Sequence, residues 1–145
     1  MSDIYDRITL DGEWTFPLYA CAKEITRAYK PYLDAVGLTY TQYLVMTLLW
    51  EHGHIHTKTI GERLYLDSGT LTPVLKALEK KGYLQRTRDE KDSRNLIASI
   101  TKEGLFLKDD ALAASEQLNH HLPLTPQEHH DLAAILGKIL GMLEG

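Results

Sequence analysis

Apolar residues recur at three- and four-residue spacing through most of this chain, and the interruptions mark its turns and one change of period. From about Phe16 to Val36, the positions Leu18, Cys21/Ala22, Ile25, Ala28/Tyr29, Tyr32/Leu33 and Val36 predict a helix. Pro17 suits its first turn, Pro31 predicts a kink inside it, and Gly37 ends it. Thr39 and Gln42 have capping-box spacing and open a strongly apolar helix that continues to about His52. A short helix over Thr57 to Tyr65 turns Ile60 and Leu64 inward. The next lies in "LDSGTLTPVLKALEKKG", where Pro73 fits N1 after a Thr72 cap or the first turns of a helix begun at Asp67 or Ser68.

After Gly82 the period shortens to two. "YLQRTR" and "NLIASI" predict two strands joined by the polar tip "DEKDSR". Thr101 caps a fifth helix carrying Leu105, Ala111, Leu112 and Leu118. Thr125, Pro126 and Glu128 fill the N-cap, N1 and N3 roles of a sixth, whose wide stripe runs from Leu132 to Leu143.

Short helices followed by a two-stranded hairpin predict a mainly α fold with a small β-hairpin wing, the winged helix-turn-helix arrangement. At 145 residues the chain reads as one domain, 1–145. Its lobe covers about 39–101. The helices at about 14–36 and 102–145 have more apolar face than so small a lobe can cover, which predicts a two-fold homodimer.

Composition narrows the classes. Hydrophobic residues are 43% and charged residues 25%, ordinary for a folded domain. No 18-residue apolar run predicts a membrane span, and the acidic "MSDIYDRITLDGEW" lacks the apolar region of a secretory signal. One cysteine, Cys21, excludes an internal disulfide and fits a cytoplasmic protein. No phosphate loop, G-x-S-x-G or H-E-x-x-H occurs, so no enzyme and no cofactor is predicted.

Charge changes the picture more. The net charge is -4, yet Ser68 to Arg94 holds seven lysines and arginines against four acids, while the residues after Thr101 hold three lysines against seven acids. A basic face on an acidic protein predicts an anionic partner, although a charge cluster alone is more often a solvated surface. Position decides between them. Ser68, Thr70 and Thr72 are small polar residues at a helix start, suited to approach phosphates and base edges of double-stranded DNA. Lys76 and Lys80 lie on or near that helix's outer face. Arg86 and Arg88 alternate along one strand and, with Lys76, Lys80 and Arg94, are expected to supply most of the electrostatic affinity for DNA; Arg94 follows the hairpin tip, where an arginine can enter a minor groove with Asp92 holding its orientation.

"LYACAKEITRAYKPYLDAVG", "LTYTQYLVMTLLWEH" and "IGERLYLDSGTLTPVLKALEKKGYLQRTRDEKDSRNLIASITKEG" resemble the MarR family of regulators, and within it the organic-hydroperoxide-resistance branch. The resemblance covers about residues 14 to 106. It implies a homodimeric repressor on a pseudo-palindromic operator, with Ser68, Thr70, Thr72 and Lys76 as groove contacts, Arg94 as the wing contact and Asp92 as its partner. In that branch a reactive cysteine precedes an "F-x-L-Y" segment; here Thr15 stands there, before Phe16. Tyr29 and Tyr40 match the tyrosines that hydrogen-bond the cysteine across the dimer.

Cys21 does not replace that thiol in place, since six helical residues separate it from Thr15 by about 9 Å and roughly 240°. It reads as a small hydrophobe on the apolar stripe, with reversible oxidation as the alternative. Tyrosines crowd the first two helices, as interface packing or as a pocket for a small-molecule inducer. Histidines at 52, 54, 56, 120, 121, 129 and 130 read as solvent-facing residues at helix ends and in a turn rather than metal ligands. Two alternatives stand: a metal- or heme-responsive regulator of the same fold, and a helical interaction protein that binds no DNA.

Overall fold

The computed structural model describes residues 8–144; the first seven residues of the acidic N-terminus lie outside it. The elements run α1 (Thr15–Asp34), α2 (Tyr40–His52), β1 (His54–His56), α3 (Thr57–Leu64), α4 (Ser68–Lys80), β2 (Leu84–Arg88), β3 (Leu96–Ile100), α5 (Lys102–Phe106), α6 (Lys108–His121) and α7 (Pro126–Leu143). The fold is mainly helical with a small antiparallel wing, as the pattern predicts.

Local chemistry sets the boundaries. Thr39 Oγ1 accepts from the Gln42 N–H at 3.2 Å while Gln42 Oε1 accepts from the Thr39 N–H at 3.1 Å, closing the predicted capping box. Thr125 and Glu128 repeat it before α7. Asp67, not Thr72, caps α4: its Oδ1 accepts from the Thr70 N–H at 2.7 Å, so Pro73 sits inside the helix. At the far end of α4, Gly82 takes φ +85°, which puts its N–H 2.9 Å from the Glu79 carbonyl and the Tyr83 N–H 3.0 Å from that of Leu78.

Three expectations need correction. His54–His56 is not a turn but a strand pairing with β3 (His54 opposite Ser99), so the sheet has three strands in the order β1-β3-β2. The short third helix stops at Leu64, because Tyr65 turns left-handed at φ 57°. The predicted fifth helix is two, α5 and α6, broken at Leu107. Of its apolar positions, Ala111 and Leu118 are buried, whereas Leu105 and Leu112 are exposed.

The core sits within the lobe: Val45, Met46, Leu49, Ile60, Leu78 and Leu84 are essentially inaccessible. Trp50 Nε1 donates to the Gly104 carbonyl at 2.8 Å and fastens α5 to α2. Outside the lobe, α1 packs on α6. Helix α7 buries none of its residues within the chain, leaving Leu132, Ile135, Leu140 and Leu143 exposed.

Candidate nucleic-acid interface

Helix α4 buries Leu71, Leu75 and Leu78 and thereby turns Ser68, Thr70, Lys76 and Lys80 to solvent, with Thr72 half-buried. An open groove of about 740 Å³ separates its N-terminal half from the wing and from the start of α3. Ser68, Thr72, Arg94 and Asn95 line it together with His56 and Lys58. The Asp67 carboxylate at its rim is held below the ordinary carboxylate range, chiefly by the Thr70 N–H.

The wing's cations are not equivalent. Arg94 is largely exposed and donates from Nε and Nη2 to the two Asp92 oxygens, both at 3.0 Å, as the sequence predicts. This bidentate pair lowers the Asp92 pKa and raises that of Arg94. Arg88 turns back, donating from Nη1 to the Ser93 carbonyl at 2.7 Å. Arg86 is half-buried and engaged with Glu79 of α4, and it also lines the groove.

Sequence reasoning missed three residues here. His56 reaches past β3 to the residue after β2, its Nε2 2.9 Å from Asp89 Oδ2, and this contact is the main cause of the lowered Asp89 pKa. Lys58 and Asn95 join the lining; the position of Lys58 in the first turn of the helix preceding α4 was the available signal. Lys81 instead bonds the Gly37 carbonyl and Gln42 Oε1, tying the end of α4 to the α1–α2 corner.

The second predicted cluster is only partly assembled. Tyr29 and Tyr40 pack in a tilted pair, ring centroids 5.2 Å apart and planes at 43°, Tyr43 lies beside both, and burial raises the pKa of the Tyr29 and Tyr40 hydroxyls. Thr15 and Phe16 begin α1, roughly 20 Å up the helix from Tyr29 at 1.5 Å per residue. One chain does not bring them together. Cys21 is exposed, which corrects its reading as a buried hydrophobe: among the described residues no element covers that part of the α1 stripe. Among the described residues, no three His, Cys, Asp or Glu side chains are placed to hold a metal, and no helix is long and apolar enough to cross a membrane.

Residues 27–111 match the family model described as "Transcriptional regulator SarA/Rot". The chain is 41% identical over 144 residues to the organic hydroperoxide resistance transcriptional regulator of Bacillus subtilis (strain 168), covering 99% of this chain and 96% of that one. It is 41% identical to the HTH-type transcriptional regulator SarZ of Staphylococcus aureus (strain USA300), over 85% of this chain and 83% of that protein. Among solved structures it resembles AbfR of Staphylococcus epidermidis at TM-score 0.81, 30% identity and 97% and 98% coverage. Reduced AbfR bound to DNA superposes at TM-score 0.80, with 30% identity and 97% and 99% coverage. A MarR-family regulator from Rhodococcus sp. RHA1 shares the fold at TM-score 0.82 and 23% identity, over 90% of this chain and 94% of that one.

Proposed function

This chain belongs to the MarR family of winged helix-turn-helix transcriptional regulators, and we propose that it acts as a homodimeric repressor of a pseudo-palindromic operator. The observation that carries the reading is the groove: the small polar start of α4 and the exposed Arg94 face one concavity, with His56 and Lys58 on its far wall. Helix α4 enters the major groove, where Ser68, Thr70 and Thr72 meet base edges and phosphates. Lys76, Lys80 and Arg94 supply the electrostatic affinity, Arg94 at the minor groove with Asp92 orienting it. Arg86 and Arg88 serve first to brace the wing. The resemblance to DNA-bound AbfR supports this assignment.

Residues 39–101 form the DNA-binding lobe, and 14–36 with 102–145 the dimerisation helices. The apolar stripe of α7, bare within one chain, supports a second copy as its cover. The protein acts by binding rather than catalysis, in the cytoplasm. Release follows when an oxidative or small-molecule signal favours a lobe spacing that fits the operator less well. AbfR is known in reduced, overoxidised and disulfide-formed states, which supports a redox signal for a relative of this fold. Tyr29 and Tyr40, already packed together, are the candidate walls of a sensor pocket completed by the partner's α1.

Fluorescence anisotropy with duplex from upstream of the gene tests the reading, against an unrelated duplex and across a salt series. The expected result is preference for the upstream duplex and affinity that falls steeply with salt. A helical interaction protein would show neither.

A further inference from the structure

Tyr65 is the one non-glycine residue with positive φ among the described residues, and it joins α3 to α4 two positions before the Asp67 cap. That turn is fixed by the Leu66 N–H, which donates to the Gly61 carbonyl at 2.9 Å. It aims the Tyr65 hydroxyl at Glu144, directly after α7, whose carboxylate accepts its hydrogen bond. Among the described residues, this is the side-chain hydrogen bond that connects α7 to the winged lobe.

Its location matters because of where the other ties lie. Lys81 holds the C-terminal end of α4 to the α1–α2 corner, and Trp50 holds α5 to α2 through Gly104. Neither acts on the N-terminal end of α4, about 20 Å away along a 13-residue helix. That is the end that faces the groove.

We propose that Tyr65 is a positioning residue for operator recognition: through Glu144 it couples the dimer arm to the start of the recognition helix and selects the separation of the two half-sites. The proposal rests on the DNA-binding homodimer reading. A two-fold dimer reads half-sites at a spacing set by the geometry between its two recognition helices. A lobe held only at the far end of α4 swings, and accepts a wider range of spacings.

Tyr65→Phe removes the hydroxyl and keeps the ring; Glu144→Ala removes the acceptor; Glu144→Gln keeps one. Each, with the Tyr65→Phe/Glu144→Ala double variant, is titrated against operator duplexes of native spacing and with one base pair added or removed. Urea midpoints and dimerisation are measured alongside. The expected result is that Tyr65→Phe and Glu144→Ala each weaken binding to the native duplex and flatten the wild-type spacing preference. The double variant should be no worse than either single one, because the two residues act through one contact. Glu144→Gln should stay near wild type.

Losses that add, or variants that keep the wild-type spacing profile, overturn the coupling while leaving the regulator reading intact. Glu144→Ala also separates coupling from direct contact, because Tyr65 itself borders the groove. Wild-type protein that binds no duplex overturns both.

Discussion

Arg86 and Glu79 join the wing to the recognition helix: Arg86 Nε and Nη2 both lie 2.9 Å from Glu79 Oε2, and the Arg86 N–H reaches Oε1 at 3.3 Å. The arginine's hydrogen bonds hold the Glu79 pKa below its ordinary value. Strand β2 therefore moves with α4, and the wing keeps its angle to the groove.

Arg86→Ala should cost stability before it costs specificity. The pair is partly exposed, so screening limits the loss to about 1 kcal/mol, read from urea denaturation. Its salt slope for DNA binding should change less than that of Arg94→Ala. An unchanged urea midpoint with a strongly reduced slope would make Arg86 a phosphate contact instead.

The Asp67 cap predicts a pH window. Its folded pKa is lowered, so its contribution is fully present above the unfolded value near 4 and is lost as pH falls through the lower folded value. Wild type should exceed Asp67→Ala in stability by a constant margin between about pH 5 and 8, and the margin should shrink only below about pH 4. A margin that changes between pH 6 and 8 would point to another group.

Gly104 is a packing constraint. A Cβ there would lie 2.3 Å from the Tyr83 carbonyl oxygen and 3.1 Å from Ile100 Cγ1. In an open helix, Gly→Ala stabilises by roughly 0.5–1 kcal/mol. Here overpacking wins, and Gly104→Ala should lose about 2 kcal/mol or more. Gly61→Ala, with Leu66 O at 2.9 Å, should lose less; the order of the two urea midpoints checks this.

Thiol chemistry in this chain has one carrier. Position 15 is threonine and Cys21 is the single cysteine, exposed on α1. Release of DNA by an organic hydroperoxide should therefore vanish in Cys21→Ser. Adding Thr15→Cys to that variant should create sensitivity, by returning a thiol to the position that carries it in the resembling branch. Anisotropy before and after peroxide treatment reads both, and a Cys21→Ser protein that still releases DNA would exclude the thiol route.

What the sequence made legible was local. Capping-box partners lie three positions apart, so Thr39/Gln42 and Thr125/Glu128 could be read directly, and Arg94 with Asp92 likewise lies within one turn. What depended on distant partners could not be read. Strand β1 is three residues long and exists through β3, more than forty positions away. Arg86 looked free because Glu79 sits on another element, and His56 meets Asp89 only once β1 and β2 both pair with β3. The break at Leu107 leaves helix-like dihedrals, so nothing in the apolar spacing marks it. The Cys21 stripe was correctly apolar, but apolar spacing does not say whether anything covers it, and among the described residues nothing does.

The most direct test of the account is the salt dependence of operator binding by wild type and Arg94→Ala. The account predicts a linear fall of log affinity with log salt for wild type. Arg94→Ala should lose about tenfold or more at fixed salt, with a slope shallower by about 1, and dimerisation unchanged. Wild-type affinity and slope in Arg94→Ala would remove the wing from recognition, and a wild-type affinity indifferent to salt would contradict DNA binding itself.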